Sequence, residues 1–211
     1  MTERLSFEAA FAALPLVAIL RGVQPGEVRA IGDALIEAGF RIIEVPLNSP
    51  DPLQSIALLA EAFSGRAVIG AGTVLSTEDV ARVEAAGASM VVSPNSNIAV
   101  IRASRERGLA SLPGFATPSE AFAALDAGAT ALKLFPAEAS SPAILKAMRA
   151  TFPAETRVLP VGGITPATMQ QWTEAGAAGF GLGSAVYKPG YEANAVRQCA
   201  GDFVRAYAEM R

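Results

Sequence analysis

The sequence predicts an α/β chain closed into a parallel (β/α)8 barrel with a short N-terminal helix, and three observations support this. Short, nearly continuous apolar runs alternate with amphipathic segments eight times along the 211 residues, as expected for strands buried on both faces and helices covering them. The first, third, fifth and seventh of those segments end in Glu37-Ala38-Gly39, Ala85-Ala86-Gly87, Asp126-Ala127-Gly128 and Glu174-Ala175-Gly176, each with a glycine suited to the left-handed residue that closes a helix. No composition shift or linker divides the chain, so residues 1–211 read as a single domain. Eight equivalent strands leave no obvious edge, which favours the closed TIM barrel over an open doubly wound sheet, the competing topology.

In order, residues 6–13 form a short helical pattern outside the repeat. The strand over 14–20, interrupted only by Pro15, delivers Arg21-Gly22, and the helix over 25–38 starts near Pro25 and closes at Gly39. The next pairs are strand 42–47 with helix 52–63, strand 67–73 with helix 77–86, and strand 90–94 with helix 98–107. Strand 109–114 with helix 118–127 and strand 131–136 with helix 142–151 follow. Strand 157–163 with helix 166–175, then strand 179–184 with helix 192–210, complete the count.

Composition removes several classes of function. With 51% hydrophobic and 18% charged residues the chain is built for a buried core, against disorder. A net charge of -3 without a basic stripe argues against a nucleic-acid surface. No apolar run reaches bilayer-spanning length, and the first residues lack a secretion signal, so no membrane association and a cytoplasmic location are expected. The single Cys199 excludes an internal disulfide and a cysteine-rich metal cluster. The absence of histidine removes serine and cysteine triads, His-ligated zinc and imidazole acid-base chemistry.

The chain has three lysines against fourteen arginines. Lys146 falls on a helical surface pattern and Lys188 in the turn-like Tyr187-Lys188-Pro189-Gly190, whereas Lys133 stands inside Ala131-Leu132-Lys133-Leu134-Phe135-Pro136. A desolvated amine is partly neutral and can attack a carbonyl to form a Schiff base. The alternative is a strand-end lysine that snorkels to solvent. Glu44 is the one acid inside a predicted strand. It is either an acid-base group serving the imine chemistry or a carboxylate paired for burial. Barrel topology gathers strand C-terminal ends at one mouth, where Arg21 either binds a substrate carboxylate or pairs with Glu44, and Thr73 adds a hydroxyl. Gly162-Gly163 and Gly181-Leu182-Gly183-Ser184, at the ends of strands seven and eight, suit a phosphate held by bare N–H groups.

Leu20-Arg21-Gly22, Glu44-Val45-Pro46-Leu47-Asn48-Ser49-Pro50, Ile69-Gly70-Ala71-Gly72-Thr73-Val74, Pro113-Gly114, Leu132-Lys133-Leu134-Phe135-Pro136 and Val161-Gly162-Gly163 together resemble the class I aldolases that cleave 2-keto-3-deoxy-6-phospho sugar acids. The similarity runs from about residue 14 to residue 187. Asn48, Val161 and Arg21 are similar to the galactonate branch rather than the gluconate branch, while Ala185 stands where the galactonate branch often has aspartate. The resemblance implies Lys133 as Schiff-base lysine and Glu44 as acid-base residue. It implies Arg21 and Thr73 at the pyruvate end, and Gly162, Gly163, Gly183 and Ser184 near the phosphate. It implies a phosphorylated sugar-acid substrate, a homotrimer, and no metal or organic cofactor.

Overall fold

A computed structural model describes residues 4–210. Helix α1 (Phe7–Ala13) is started by Ser6, whose Oγ accepts from the Ala9 amide at 3.1 Å. Nine strand segments follow: β1 (Leu16–Ile19), β2 (Ile42–Pro46), β3 (Val68–Gly72), β4 (Met90–Val92), β5 (Ala110–Leu112), β6 (Gly114–Phe115), β7 (Leu132–Leu134), β8 (Val158–Pro160) and β9 (Phe180–Leu182). The helices between and after them are α2 (Val28–Ala38), α3 (Pro52–Ala62), α4 (Thr77–Ala85), α5 (Ile98–Glu106), α6 (Pro118–Asp126), α7 (Pro142–Arg149), α8 (Met169–Glu174) and α9 (Ala193–Glu209).

All strand pairs are parallel, in the order β5-β4-β3-β2-β1-β9 and β6-β7-β8. The two sheets are one curled barrel. β5 and β6 are halves of a single strand, divided where Pro113 lacks an N–H to donate, while the Pro113 carbonyl still accepts from the Lys133 amide at 2.9 Å. Between β8 and β9 the ring closes through a bridge pairing Val161 with Gly181.

Two boundaries differ from the sequence expectation for a physical reason. Residues 25–27 form a turn, because Glu27 Oε1 accepts from the Gln24 amide at 3.0 Å and Glu27 itself becomes the cap of α2. Pro166–Thr168 form a tighter 3-10 turn ahead of α8, with Thr165 and Thr168 capping each other. Gly39, Gly87, Gly128 and Gly176 are all left-handed, as their repeat predicts.

Side chains alternate along each strand, and this separates two cores. Outward-facing Ala18, Ile43, Val45, Ile69, Ala71, Val91, Leu132, Leu134 and Phe180 pack under the helices. Inward-facing Val17, Ile42, Val68, Met90, Val92, Ala110, Leu112, Ala131 and Leu159 fill the barrel, and Phe7, Ala10 and Phe11 of α1 belong to this inner cluster. The short N-terminal helix thus adds apolar side chains to the barrel interior, each large one contributing roughly 1.5–3 kcal/mol on burial. Among the described residues, no helix is long and apolar enough to cross a membrane.

Closure leaves little room at its last seam. A Cβ on Gly181 would lie 2.6 Å from Val161 Cγ2 and 3.4 Å from Ile19 Cδ1, and a β-branched valine has few rotamers with which to yield. Gly181→Ala is expected to destabilise the fold by about 1–3 kcal/mol, read as a lower urea midpoint. An unchanged midpoint would show that the seam is slack.

Candidate active site

The alternation that sorts the core also aims the chemistry. Glu44 follows inward-facing Ile42 by two residues, and Lys133 follows inward-facing Ala131 by two, so both point into the barrel. Register aligns Glu44 with Ile19 on one side and Gly70 on the other, and Lys133 with Gly114 and Leu159. Neither side chain escapes to solvent: Glu44 is 2% exposed and Lys133 6%. The Lys133 ammonium position lies 4.7 Å from the centroid of the Phe135 ring, so the lysine does not snorkel.

Glycine makes space for the carboxyl. A Cβ on Gly72 would collide with Glu44 Oε1 and lie 3.0 Å from its Cγ; any larger residue at the end of β3 would displace the acid. Among the described residues, Glu44 Oε2 has no hydrogen-bond partner. Burial is the largest influence on both groups, raising the Glu44 pKa and lowering that of Lys133, while their mutual attraction pulls each the other way. The Arg21 charge lowers both. Net, the dry interior shifts the acid and the amine each toward its neutral form.

A cavity of about 460 Å³ opens where the chain leaves β1, β7, β8 and β9. Arg21, Lys133, Gly162, Gly163, Gly183 and Ser184, six of the eight residues expected from sequence, line it together. Glu44 is not on that wall and acts on Lys133 from within the barrel. Thr73 is not on the wall either. It stands just past β3 with φ of 57°, a conformation rare for a β-branched residue and costly to hold. A larger surface groove of about 570 Å³ beside α9 includes Arg197, Asp202 and Arg205 and none of these residues.

Arg21 is not ion-paired with Glu44. Its Nη1 donates to Asn48 Oδ1 at 2.9 Å, and the neighbouring Gly22 amide donates to Ser49 Oγ at 3.0 Å. The loop after β2 thereby clasps the loop after β1 and holds the guanidinium at the cavity. Sequence reading alone missed three further wall residues: Glu138, Tyr187 and Lys188. Glu138 reaches over the glycine pair, for a Cβ on Gly163 would lie 2.8 Å from its Cγ. Buried Tyr187 donates to Glu27 Oε1 at 2.8 Å, and burial followed by that bond raises its pKa above the ordinary tyrosine range. Scarcity of lysine was the available signal for Lys188. Among the described residues, no group of three or more His, Cys, Asp or Glu side chains is placed to hold a metal ion.

The raised Glu44 pKa means the folded chain is penalised for ionising it. That contribution is favourable below the unfolded value of 4.5 and is lost as pH rises through the folded value. The lowered Lys133 pKa penalises protonation, and that penalty is relieved as pH rises toward 10.5. Glu44→Gln is therefore expected to melt higher than the native chain at about pH 8, by about 2–4 °C for each kcal/mol removed. The gap should narrow toward acid in a thermal-denaturation series, and a variant less stable at alkaline pH would contradict this account.

Comparison with known proteins agrees with the geometry. The family model for KDPG and KHG aldolase matches residues 7–199. A 2-dehydro-3-deoxy-6-phosphogalactonate aldolase of Escherichia coli strain K12 is 47% identical over 93% of this chain and 96% of its own. A 2-dehydro-3-deoxy-phosphogluconate aldolase of Pseudoalteromonas atlantica is 35% identical over 77% of this chain and 75% of its own. A solved structure, native KDPGal, superposes with a TM-score of 0.93 at 44% identity, covering 99% of this chain and 98% of that one. The chain belongs to the KDPG and KHG aldolase family, and it is an aldolase, a lyase built on a (β/α)8 barrel.

Proposed function

We propose that the chain, as one barrel domain, cleaves 2-dehydro-3-deoxy-6-phosphogalactonate to pyruvate and D-glyceraldehyde 3-phosphate. The observation that carries this reading is a buried lysine on the wall of a strand-end cavity, electrostatically coupled to a buried acid. The higher identity to the phosphogalactonate enzyme than to the phosphogluconate enzyme supports the choice of epimer.

The chemistry follows from the burial that moves the acid and the amine toward their neutral forms. Neutral Lys133 Nζ attacks the C2 ketone, and Glu44 donates the proton with which the carbinolamine oxygen leaves as water. The resulting iminium withdraws electrons while the C4 hydroxyl gives its proton to the Glu44 carboxylate and the C3–C4 bond breaks. Glyceraldehyde 3-phosphate departs, and the electron pair remains as an enamine. Protonation at C3 by Glu44 and hydrolysis of the iminium release pyruvate and restore the amine. Arg21 binds the substrate carboxylate, Thr73 supports the pyruvate end, and Gly162, Gly163, Gly183 and Ser184 receive the phosphate. No metal or organic cofactor enters any step. A phosphorylated substrate that does not cross a bilayer supports a cytoplasmic setting.

Lys133→Ala is expected to reduce cleavage by about 10⁴-fold or more, and borohydride with pyruvate should add mass at Lys133. An active variant, or a lysine left unmodified, would refute the imine; ligand binding without turnover would make the barrel a silent receptor. Rates on the two C4 epimers decide the substrate, with equal or reversed rates indicating a dual-epimer or phosphogluconate enzyme.

We also propose a homotrimer. Exposed Leu75, Phe122 and Ile144 offer apolar surface for it. Light scattering on the eluting protein should give about three times 21.7 kDa, and a monomeric mass would reject it.

A further inference from the structure

We infer that Lys188 supplies the cationic contact for the substrate's phosphate, an assignment that rests on the aldolase reading above. Two of the chain's three lysines, Lys133 and Lys188, line the same cavity. The first is dry and tends to neutrality; the second is exposed at the rim. Among the described residues, neither the Lys188 ammonium nor the Glu138 carboxylate has a hydrogen bond or ion pair. Glu138, the acid on that wall, projects over Gly162 and Gly163, where it repels a phosphate that carries about -1.5 to -2 at neutral pH. Backbone N–H groups bring partial charges only, and Arg21 is bound to Asn48 at the ends of β1 and β2. A phosphate at the glycine loops therefore needs a positive charge from elsewhere.

The chain leaving β9 is fixed so that Lys188 can provide it. The Val186 and Tyr187 amides both donate to the Gly183 carbonyl, at 2.9 and 3.0 Å. Buried Tyr187 ties the segment to Glu27, 160 residues away. Past the lysine, Pro189 lies against Gly22, where a Cβ would come within 2.8 Å of its Cγ. Held on both sides, the backbone of Lys188 keeps its place while the flexible side chain carries a point charge to the cavity. Ala185, on the same wall, adds no opposing charge to this loop.

The test compares Lys188→Gln with Lys188→Arg on 2-keto-3-deoxy-6-phosphogalactonate and on the same sugar acid without phosphate. Lys188→Gln is expected to raise KM for the phosphorylated substrate about tenfold, with kcat changed far less. The ratio of kcat/KM between phosphorylated and unphosphorylated substrates should fall by about the same factor, and Lys188→Arg should restore most of it. A ratio unmoved by Lys188→Gln, or KM rising equally on both substrates, would overturn the assignment. Borohydride trapping of pyruvate by the native chain separates the two levels. Trapping at Lys133 with an unmoved ratio refutes only the phosphate contact, whereas no trapping refutes the aldolase reading on which it stands.

Discussion

The constraint on which the site depends is the removal of water from one amine and one carboxyl inside a closed ring of strands. Alternation within β2 and β7 turns Glu44 and Lys133 inward, and the absence of a side chain at Gly72 lets the acid lie there. Burying two ionisable groups is costly, and a partner recovers only part of that cost. The fold meets the expense with apolar packing on both sides of the strands. On the proposed mechanism, the same drying suits Lys133 to act as nucleophile and Glu44 as proton donor.

Around that pair the cavity divides its work between side chains and backbone. At the ends of β1 and β2 a hydrogen-bonded clasp holds Arg21 through Asn48 and its neighbour Gly22 through Ser49. At the ends of β8 and β9 the wall includes Gly162, Gly163, Gly181 and Gly183, which bring no side chains of their own. Tyr187 and Glu27 join these regions where the neighbouring strands β9 and β1 end.

Much of this was legible in the residues. Nearly continuous apolar runs and the four helix-closing glycines specify the barrel, and a lysine inside an apolar strand stands out in a chain that otherwise uses arginine. Other features depend on neighbours distant in sequence. Nothing local to Gly72 reveals that it accommodates Glu44, and nothing local to Asn48 reveals its bond to Arg21. Pro113 divides its strand yet leaves a carbonyl for Lys133, so a local defect is absorbed by the barrel. Lys188 reads as a turn residue, which is true of its backbone; only the three-dimensional path of the loop brings it to the cavity. Thr73 shows the reverse case: its strand-end position was legible, but its left-handed backbone was not.

A chain without histidine must obtain a group that exchanges protons near neutrality in another way. A carboxylate in water titrates too low and an amine too high. Drying shifts them toward each other, so a single physical change corrects both. Arg21 then acts unequally on the result: its charge further favours the neutral amine but opposes protonation of Glu44. A substrate carboxylate arriving at Arg21 would screen that charge. On the proposed mechanism this would favour the acid form of Glu44 when the carbinolamine requires its proton, so that binding and proton supply would be coupled through the same guanidinium.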